Sequence, residues 1–290
     1  MTRIITSISE ISESYDALFC DLWGCVHDGL TPFAEAVAAL KAFRAKGGTV
    51  MMVTNAPRPH APVRRQLERL GVPSDAYDGI ATSGDSARAA MLRGAVGEKV
   101  YFIGQSHDQD FFTPLELIEN PVVISQVALE QAEGIVCCGP FDPLADPDEM
   151  WARFLQAKAR GLKLLCANPD IVVDRGETRE WCAGALAKLY TEMGGESLYF
   201  GKPHPPIYDL ARRRLEALGK DIPDSRILCV GDGILTDIDG AMGEDLDSLF
   251  ITGGLAAQET QTTDQPDPAA LTAYLTKEMR QPTYSIGKLR

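Results

Sequence analysis

The feature that most constrains this chain is an alternation of short, continuous apolar runs with amphipathic segments of helical period. ALFCDLW (17–23), GTVMMVTN (48–55) and GIATS (79–83) read as strands. Between the first two, Phe33, Ala36, Val37, Leu40 and Phe43 mark one face of a helix. The segment from His60 to Leu70 fits a second helix, closed by Gly71, and a third runs from about Asp85 to Leu92. Toward the other end, Ile207, Leu210, Ala211, Leu215 and Leu218 give a helix ended by Gly219. The strands RILCVGD (226–232) and SLFITGG (248–254) follow, with a short helix between them. Strands that are apolar throughout must be covered on both faces, so the pattern predicts an α/β fold around a parallel sheet.

The middle of the chain has its own alternation. KVYFIG (99–104), PVVIS (121–125), GIVCCG (134–139) and LKLLCAN (162–168) are strand candidates, with helices near 146–160 and 179–193. That is enough for a separate core, so two domains are expected: one from residues 1–82 with 200–290, and an inserted α/β domain over 83–199. AAQETQTTDQPDP (256–268) reads as a polar loop and the last ten or so residues as an ordered tail. The 290 residues include 28 Lys+Arg and 41 Asp+Glu, for a formal net charge of −13. By segment the net is −1 over 1–82, −8 over 83–199 and −4 over 200–290. This excess argues against a nucleic-acid partner or an anionic membrane surface. No apolar run reaches the roughly 18 residues of a membrane span. The first 16 residues carry three acids and no long apolar stretch, unlike a signal peptide. The seven cysteines form no CxxC pair and show no zinc spacing, which fits buried filler in a reducing, cytoplasmic setting.

Four signals sit where strands end, the edge at which parallel sheets place ligands. They are Asp21 in FCDLWGCVHDG, Thr54-Asn55 in VTNAPRP, Lys202-Pro203 in FGKPHPP, and Asp232 with Asp237 in VGDGILTD. Singly, each has an ordinary reading as a helix cap, loop chemistry or a solvated lysine. In this order, at separations of 33, 148 and 30 residues, the set resembles the four motifs of the haloacid dehalogenase superfamily. The long insertion between the second and third motifs, with Asn168-Pro169-Asp170 and GKPHPP, resembles subfamily IIA, which contains sugar-phosphate, phosphoglycolate and nitrophenyl-phosphate phosphatases. The resemblance implies a Rossmann-like core with an inserted α/β cap domain. It also implies Mg²⁺-dependent hydrolysis of a small phosphorylated metabolite, a sugar phosphate among the candidates, and a homodimer through the cap.

The chemistry assigns roles. A carboxylate can attack phosphorus and form an aspartyl-phosphate that water hydrolyses, the role expected of Asp21. Phosphoryl charge beside carboxylates calls for cations, and Mg²⁺ suits a site of oxygen ligands. Asp21 and Asp232 are the expected side-chain ligands, Asp237 binds through water or holds Lys202, and by resemblance the Trp23 backbone carbonyl completes the set. Lys202 offsets the like charges, while Thr54 and the Asn55 amide donate to phosphate oxygens. Arg58 either grips an anionic substrate or is a solvated loop arginine. Asn168 and Asp170 either face the core's mouth or form a turn. His60 and His204 are expected as exposed loop residues, Ser83-Gly84-Asp85 as a helix cap, and Arg212, Arg213 and Arg214 as a solvated stripe opposite Leu215 and Leu218. The acids of the inserted domain are expected to face outward, because lining the pocket they would repel the substrate.

One position departs from the family pattern. Trp23 stands where these phosphatases carry the second Asp of a DxD motif, the group that protonates the leaving oxygen. An indole has no proton that titrates near neutrality, so acid–base help of about 10²–10⁴-fold is lost unless another group supplies it. Three readings follow: His27 or Asp28 delivers the proton, the substrate has a good leaving group, or the chain is a ligand-binding or regulatory protein with weak turnover. His27-Asp28-Gly29 also reads as plain turn chemistry. Haloacid dehalogenation is disfavoured, since it has no need of the Asp232/Asp237 pair.

Overall fold

The computed structural model describes residues 2–113, 120–175 and 177–290. The chain begins with β1 (Arg3–Ile4), β2 (Ala17–Cys20), α1 (Ala34–Ala45), β3 (Thr49–Thr54), α2 (His60–Leu70), β4 (Gly79–Thr82) and α3 (Ser83–Leu92). Its middle contains β5 (Lys99–Ile103), β6 (Ser125–Gln126), β7 (Gly134–Cys137), α4 (Trp151–Ala159), β8 (Lys163–Cys166), β9 (Val172–Arg175), β10 (Thr178–Trp181), α5 (Ala183–Glu192) and β11 (Glu196–Tyr199). It closes with α6 (Pro205–Ala217), β12 (Ile227–Gly231), α7 (Asp239–Gly243), β13 (Asp247–Ile251), α8 (Pro268–Glu278) and β14 (Tyr284–Ile286).

These elements form two compact units: Met1–Thr54, Arg64–Ala81 and Lys202–Arg290, and Asn55–Val63 with Thr82–Gly201. The sequence pattern assigns residues 55–63 to the first. They group with the second because Gly84 N–H donates to the Ala56 carbonyl and the His60 amide donates to Asp85.

The first unit is built on a seven-stranded sheet of order β1-β14-β13-β12-β2-β3-β4. The pairings from β1 through β3 are parallel. Strands β2, β3 and β12 are buried at every residue, as their unbroken apolar runs require. Helix α6 packs Ile207, Tyr208, Ala211 and Leu215 against Phe19, Val53 and Cys229. Leu218, expected on that face, is 47% exposed, because the helix ends one residue before it. Two elements lay hidden in the sequence. Helix α8 starts at an Asp267 cap that accepts from Ala269 and Ala270, and the expected tail forms β14, inside the sheet between β1 and β13.

The second unit has a five-stranded sheet of order β11-β8-β7-β5-β6, parallel in every pairing, and a separate β9–β10 hairpin. Phe154 of α4 and Tyr190 of α5 centre one of its cores. The run PVVIS supplies a strand only at Ser125–Gln126, an exposed edge, and Val123 is 78% exposed. The helix expected over 179–193 starts at Ala183, since Thr178–Trp181 pair with β9. All seven cysteines are free and buried. Among the described residues no helix is long and apolar enough to cross a membrane.

Candidate active site

Because β2 lies between β12 and β3, the carboxyl ends of these strands are neighbours. Cys20 is in register with Val230 on one side and Met52 on the other, and Asp21 N–H donates to the Val230 carbonyl at 2.8 Å. Asp21, Thr54 and Asp232 therefore leave the sheet at one edge. Lys202 joins them: its Nζ lies 2.8 Å from Asp21 Oδ1 and 2.6 Å from Asp237 Oδ1. Asp21, Thr54, Lys202, Asp232 and Asp237 are all buried.

Two glycine-rich turns fix the acids. After β12 the chain makes one wide turn over Ile234–Ile238, in which Ile238 N–H reaches back to the Gly233 carbonyl. This turns Asp237 inward, where its Oδ2 accepts from Gly233 N–H at 3.0 Å. Asp232 Oδ2 accepts from Leu255 N–H at 3.1 Å. Its carboxyl fills the space where Gly24 and Gly254 lack side chains: a Cβ on either would fall 2.1 or 2.0 Å from Oδ2. Gly24 also has φ +74°, which other residues adopt at a cost.

This cluster holds three carboxylates against one ammonium. Burial, reinforced by Asp21 and Asp237, pushes the Asp232 carboxyl well above its ordinary range. Burial likewise pushes Asp237 up to about 6, against the pull of Lys202. Ligand atoms of Asp21, Asp232 and Cys25 all lie within 4.8 Å of one another. The excess negative charge on buried oxygens fits a hard divalent cation. Burial and Asp232 push the Cys25 thiol up, which keeps it a neutral neighbour of that oxygen set. That agrees with the sequence expectation of a buried, free thiol at Cys25.

The turn after β2 accounts for the two residues considered as proton donors. His27 is 2% exposed, its Nδ1 accepts from Gly29 N–H at 3.0 Å, and burial pushes it down to about 4. The Asp28 carboxylate accepts from Leu30 N–H, Thr31 N–H and the Thr31 hydroxyl at 2.9, 2.7 and 3.1 Å. Both residues build the turn. Trp23, partly exposed, meets the His27 ring edge-on at 5.2 Å between centroids.

Comparison with known proteins agrees with this geometry. The family described as haloacid dehalogenase-like hydrolase matches residues 18–117, and a HAD-hydrolase-like family matches residues 199–277. The crystal structure of a haloacid dehalogenase-like hydrolase from Brucella suis is 39% identical, with a TM-score of 0.86, over 99% of this chain and 100% of that one. The chain belongs to the haloacid dehalogenase superfamily, subfamily IIA. A D-glycerol 3-phosphate phosphatase of Mycobacterium tuberculosis is 26% identical over 98% of this chain and 72% of its own length. A glycerol phosphate phosphatase structure from that organism, in complex with calcium, shares the fold at a TM-score of 0.64, with 23% identity over 95% of this chain and 74% of that one. So does a p-nitrophenyl phosphatase from Archaeoglobus fulgidus, at 0.69, with 20% identity over 95% and 97%.

The inserted unit of this subfamily IIA hydrolase gathers a second set. Asn55 Nδ2 donates to Asp170 Oδ1 at 2.8 Å, and Asp170 N–H donates to Asn168 Oδ1 at 3.0 Å. Asn168 therefore forms the turn, while Asp170 holds the buried Asn55 side chain. Arg58 is half-buried in the same unit. Several expectations need correction. The cap of α3 is Thr82, whose hydroxyl accepts from Asp85 N–H at 2.9 Å. His60 opens α2 with its Nδ1 2.9 Å from Asp85 Oδ2, and His204 is half-buried at the start of α6. Arg212 pairs with Asp224 and Glu244. Among the described residues, the buried acids of segment 83–199 are Asp85 and Asp108.

Proposed function

We propose that this hydrolase cleaves a small phosphomonoester through an aspartyl-phosphate on Asp21, with Mg²⁺ as its cofactor. The observation that carries the reading is the buried bridge from Asp21 through Lys202 to Asp237, with Asp232 beside it. Asp21 Oδ attacks phosphorus and the ester oxygen leaves; water then cleaves the acyl phosphate and frees phosphate and Asp21. Lys202, 2.8 Å from Asp21, places its positive charge where the incoming negative charge arrives. The Thr54 hydroxyl and the amide after it donate to phosphoryl oxygens. Asp21, Asp232 and the Trp23 backbone carbonyl would hold the cation, with Asp237 behind Lys202. When bound, the cation offsets the charge of the phosphoryl group and the two carboxylates. The phosphatase activities of the glycerol phosphate and p-nitrophenyl phosphate relatives support the reaction class. The metabolite partner, a dimer through the inserted domain, and a cytoplasmic location remain part of the same proposal; buried free thiols suit that location.

The test is release of p-nitrophenol from p-nitrophenyl phosphate by wild type and Asp21→Asn, with Mg²⁺ and with chelator. Release that needs Mg²⁺ and vanishes in Asp21→Asn is expected. Release that survives Asp21→Asn refutes the nucleophile. Binding of Mg²⁺ and inorganic phosphate with no release would instead mark a ligand-binding protein, the alternative that Trp23 motivates.

A further inference from the structure

The turn after β2 decides which side chain stands two residues beyond Asp21. Trp23, two residues past Asp21, lies over Gly29: a methyl group there would sit 2.4 Å from the indole Cζ2. The His27 ring meets the indole edge-on, at an interplanar angle of 73°. His27 is itself sealed from solvent, with Nδ1 engaged by Gly29 N–H. Asp28 has both carboxylate oxygens engaged by Leu30 and Thr31. Of the remaining acids in the site, Asp21 is the nucleophile, Asp232 lies on the cation side and Asp237 holds Lys202. Lys202 is itself held between two carboxylates. The place two residues beyond the nucleophile is thus occupied by a clasped aromatic ring that has no acidic proton to donate.

We infer that Trp23, clasped by His27 and Gly29, is a specificity-determining residue that restricts this site to phosphate esters of acidic hydroxyls, aryl and enol phosphates, over esters of ordinary alcohols. The inference rests on the phosphatase reading above. As the Asp21 oxygen–phosphorus bond forms and the phosphorus–ester oxygen bond breaks, the leaving oxygen keeps the electron pair. It departs as an oxyanion and takes its proton from water afterwards. A phenolate or enolate tolerates this; an alkoxide forfeits about 10²–10⁴-fold for want of a proton. The aspartyl-phosphate is then common to every substrate, so its hydrolysis proceeds at one rate whatever alcohol has left.

The experiment is a structure–reactivity series: kcat/KM for substituted phenyl phosphates and for glycerol 3-phosphate, with saturating Mg²⁺, plotted against leaving-group pKa. Wild type is expected to fall steeply along the series, with glycerol 3-phosphate at least about 100-fold below p-nitrophenyl phosphate. Trp23→Asp is expected to flatten the slope, raising the poorest leaving groups most; a merely structural role would lower all substrates by a common factor. A shallow wild-type slope, or an alkyl ester within about tenfold of the aryl esters, overturns the inference whatever the variant does. Absence of Mg²⁺-dependent turnover across the whole series overturns the phosphatase reading and this one together, whereas turnover with a shallow slope overturns this one alone.

Discussion

Replacing Lys202 by Met tests whether the site is held by one buried ammonium between two carboxylates. The Nζ lies 2.8 and 2.6 Å from Asp21 and Asp237 in a pocket where Lys202 is 3% exposed. At an effective dielectric of about 20, each contact carries about 6 kcal/mol of Coulomb attraction, largely offset by desolvation. Removing Lys202 leaves both carboxylates buried without their ammonium, which costs about 3–5 kcal/mol. The pH dependence has a definite sign. Asp237 is pushed up to about 6 from 3.8, so the folded state binds its proton more tightly than the unfolded chain does. Its contribution is therefore most unfavourable above about pH 6 and is relieved as pH falls toward 4, by about 3 kcal/mol. Without Lys202 the carboxyl rises further and relief begins at higher pH. Urea unfolding without divalent cation should show the full loss near pH 8 and a clearly smaller one near pH 5. A loss below about 1 kcal/mol, or one that is flat across that range, would refute the bridge as the organising contact.

Two further perturbations probe the turn after β2. His27 is pushed down to about 4 from 6.5, so the unfolded chain takes the proton first, and the stability due to neutral His27 is lost as pH falls from about 6.5 to 4. The stability difference between wild type and His27→Gln should narrow over that window by about 3 kcal/mol; a constant difference would show that His27 is not held neutral. Gly29→Ala places a methyl at φ +87° and 2.4 Å from the Trp23 ring. It should cost about 1–3 kcal/mol and shift tryptophan emission, a shift that should be missing when Trp23 is already Phe.

How much of this was legible in the sequence depends on where each residue draws its partners. Asp21, Thr54 and Asp232 were readable because each ends or directly follows an apolar strand, and parallel strands bring such ends together whatever the intervening length. Lys202 was readable only as a member of that set. The turn at His27-Asp28-Gly29 was readable from its residue types, but not the burial of His27, which depends on Trp23 and Gly29 packing around it. The grouping of 55–63 with the inserted unit was hidden for a similar reason: Asp85, which engages His60, lies 25 residues downstream. PVVIS has strand propensity, yet forms only a two-residue edge, because propensity does not supply a covering layer. Helix α8 is masked in the sequence by the polar loop it continues, although Asp267-Pro268 is a usable start signal.

On the proposed function, the charges of the site also couple the binding of cation and phosphate. Three buried carboxylates and one lysine leave an excess of negative charge before any substrate arrives, and burial is the main cause that pushes the Asp232 carboxyl up. A phosphate dianion would add to that excess. In the proposed reaction, a cation beside Asp21 and Asp232 would strengthen phosphate binding, and phosphate would strengthen cation binding by the same factor. Calorimetric titration of inorganic phosphate into Asp21→Asn should show binding that strengthens with Mg²⁺, and the same variant should bind Mg²⁺ more tightly when phosphate is present. Asp232→Asn should lose the coupling in both directions while Lys202 still pairs with Asp237. Phosphate affinity that is indifferent to chelator would mean that Lys202 alone neutralises the anion, and the cation would then have no place in the ground-state complex.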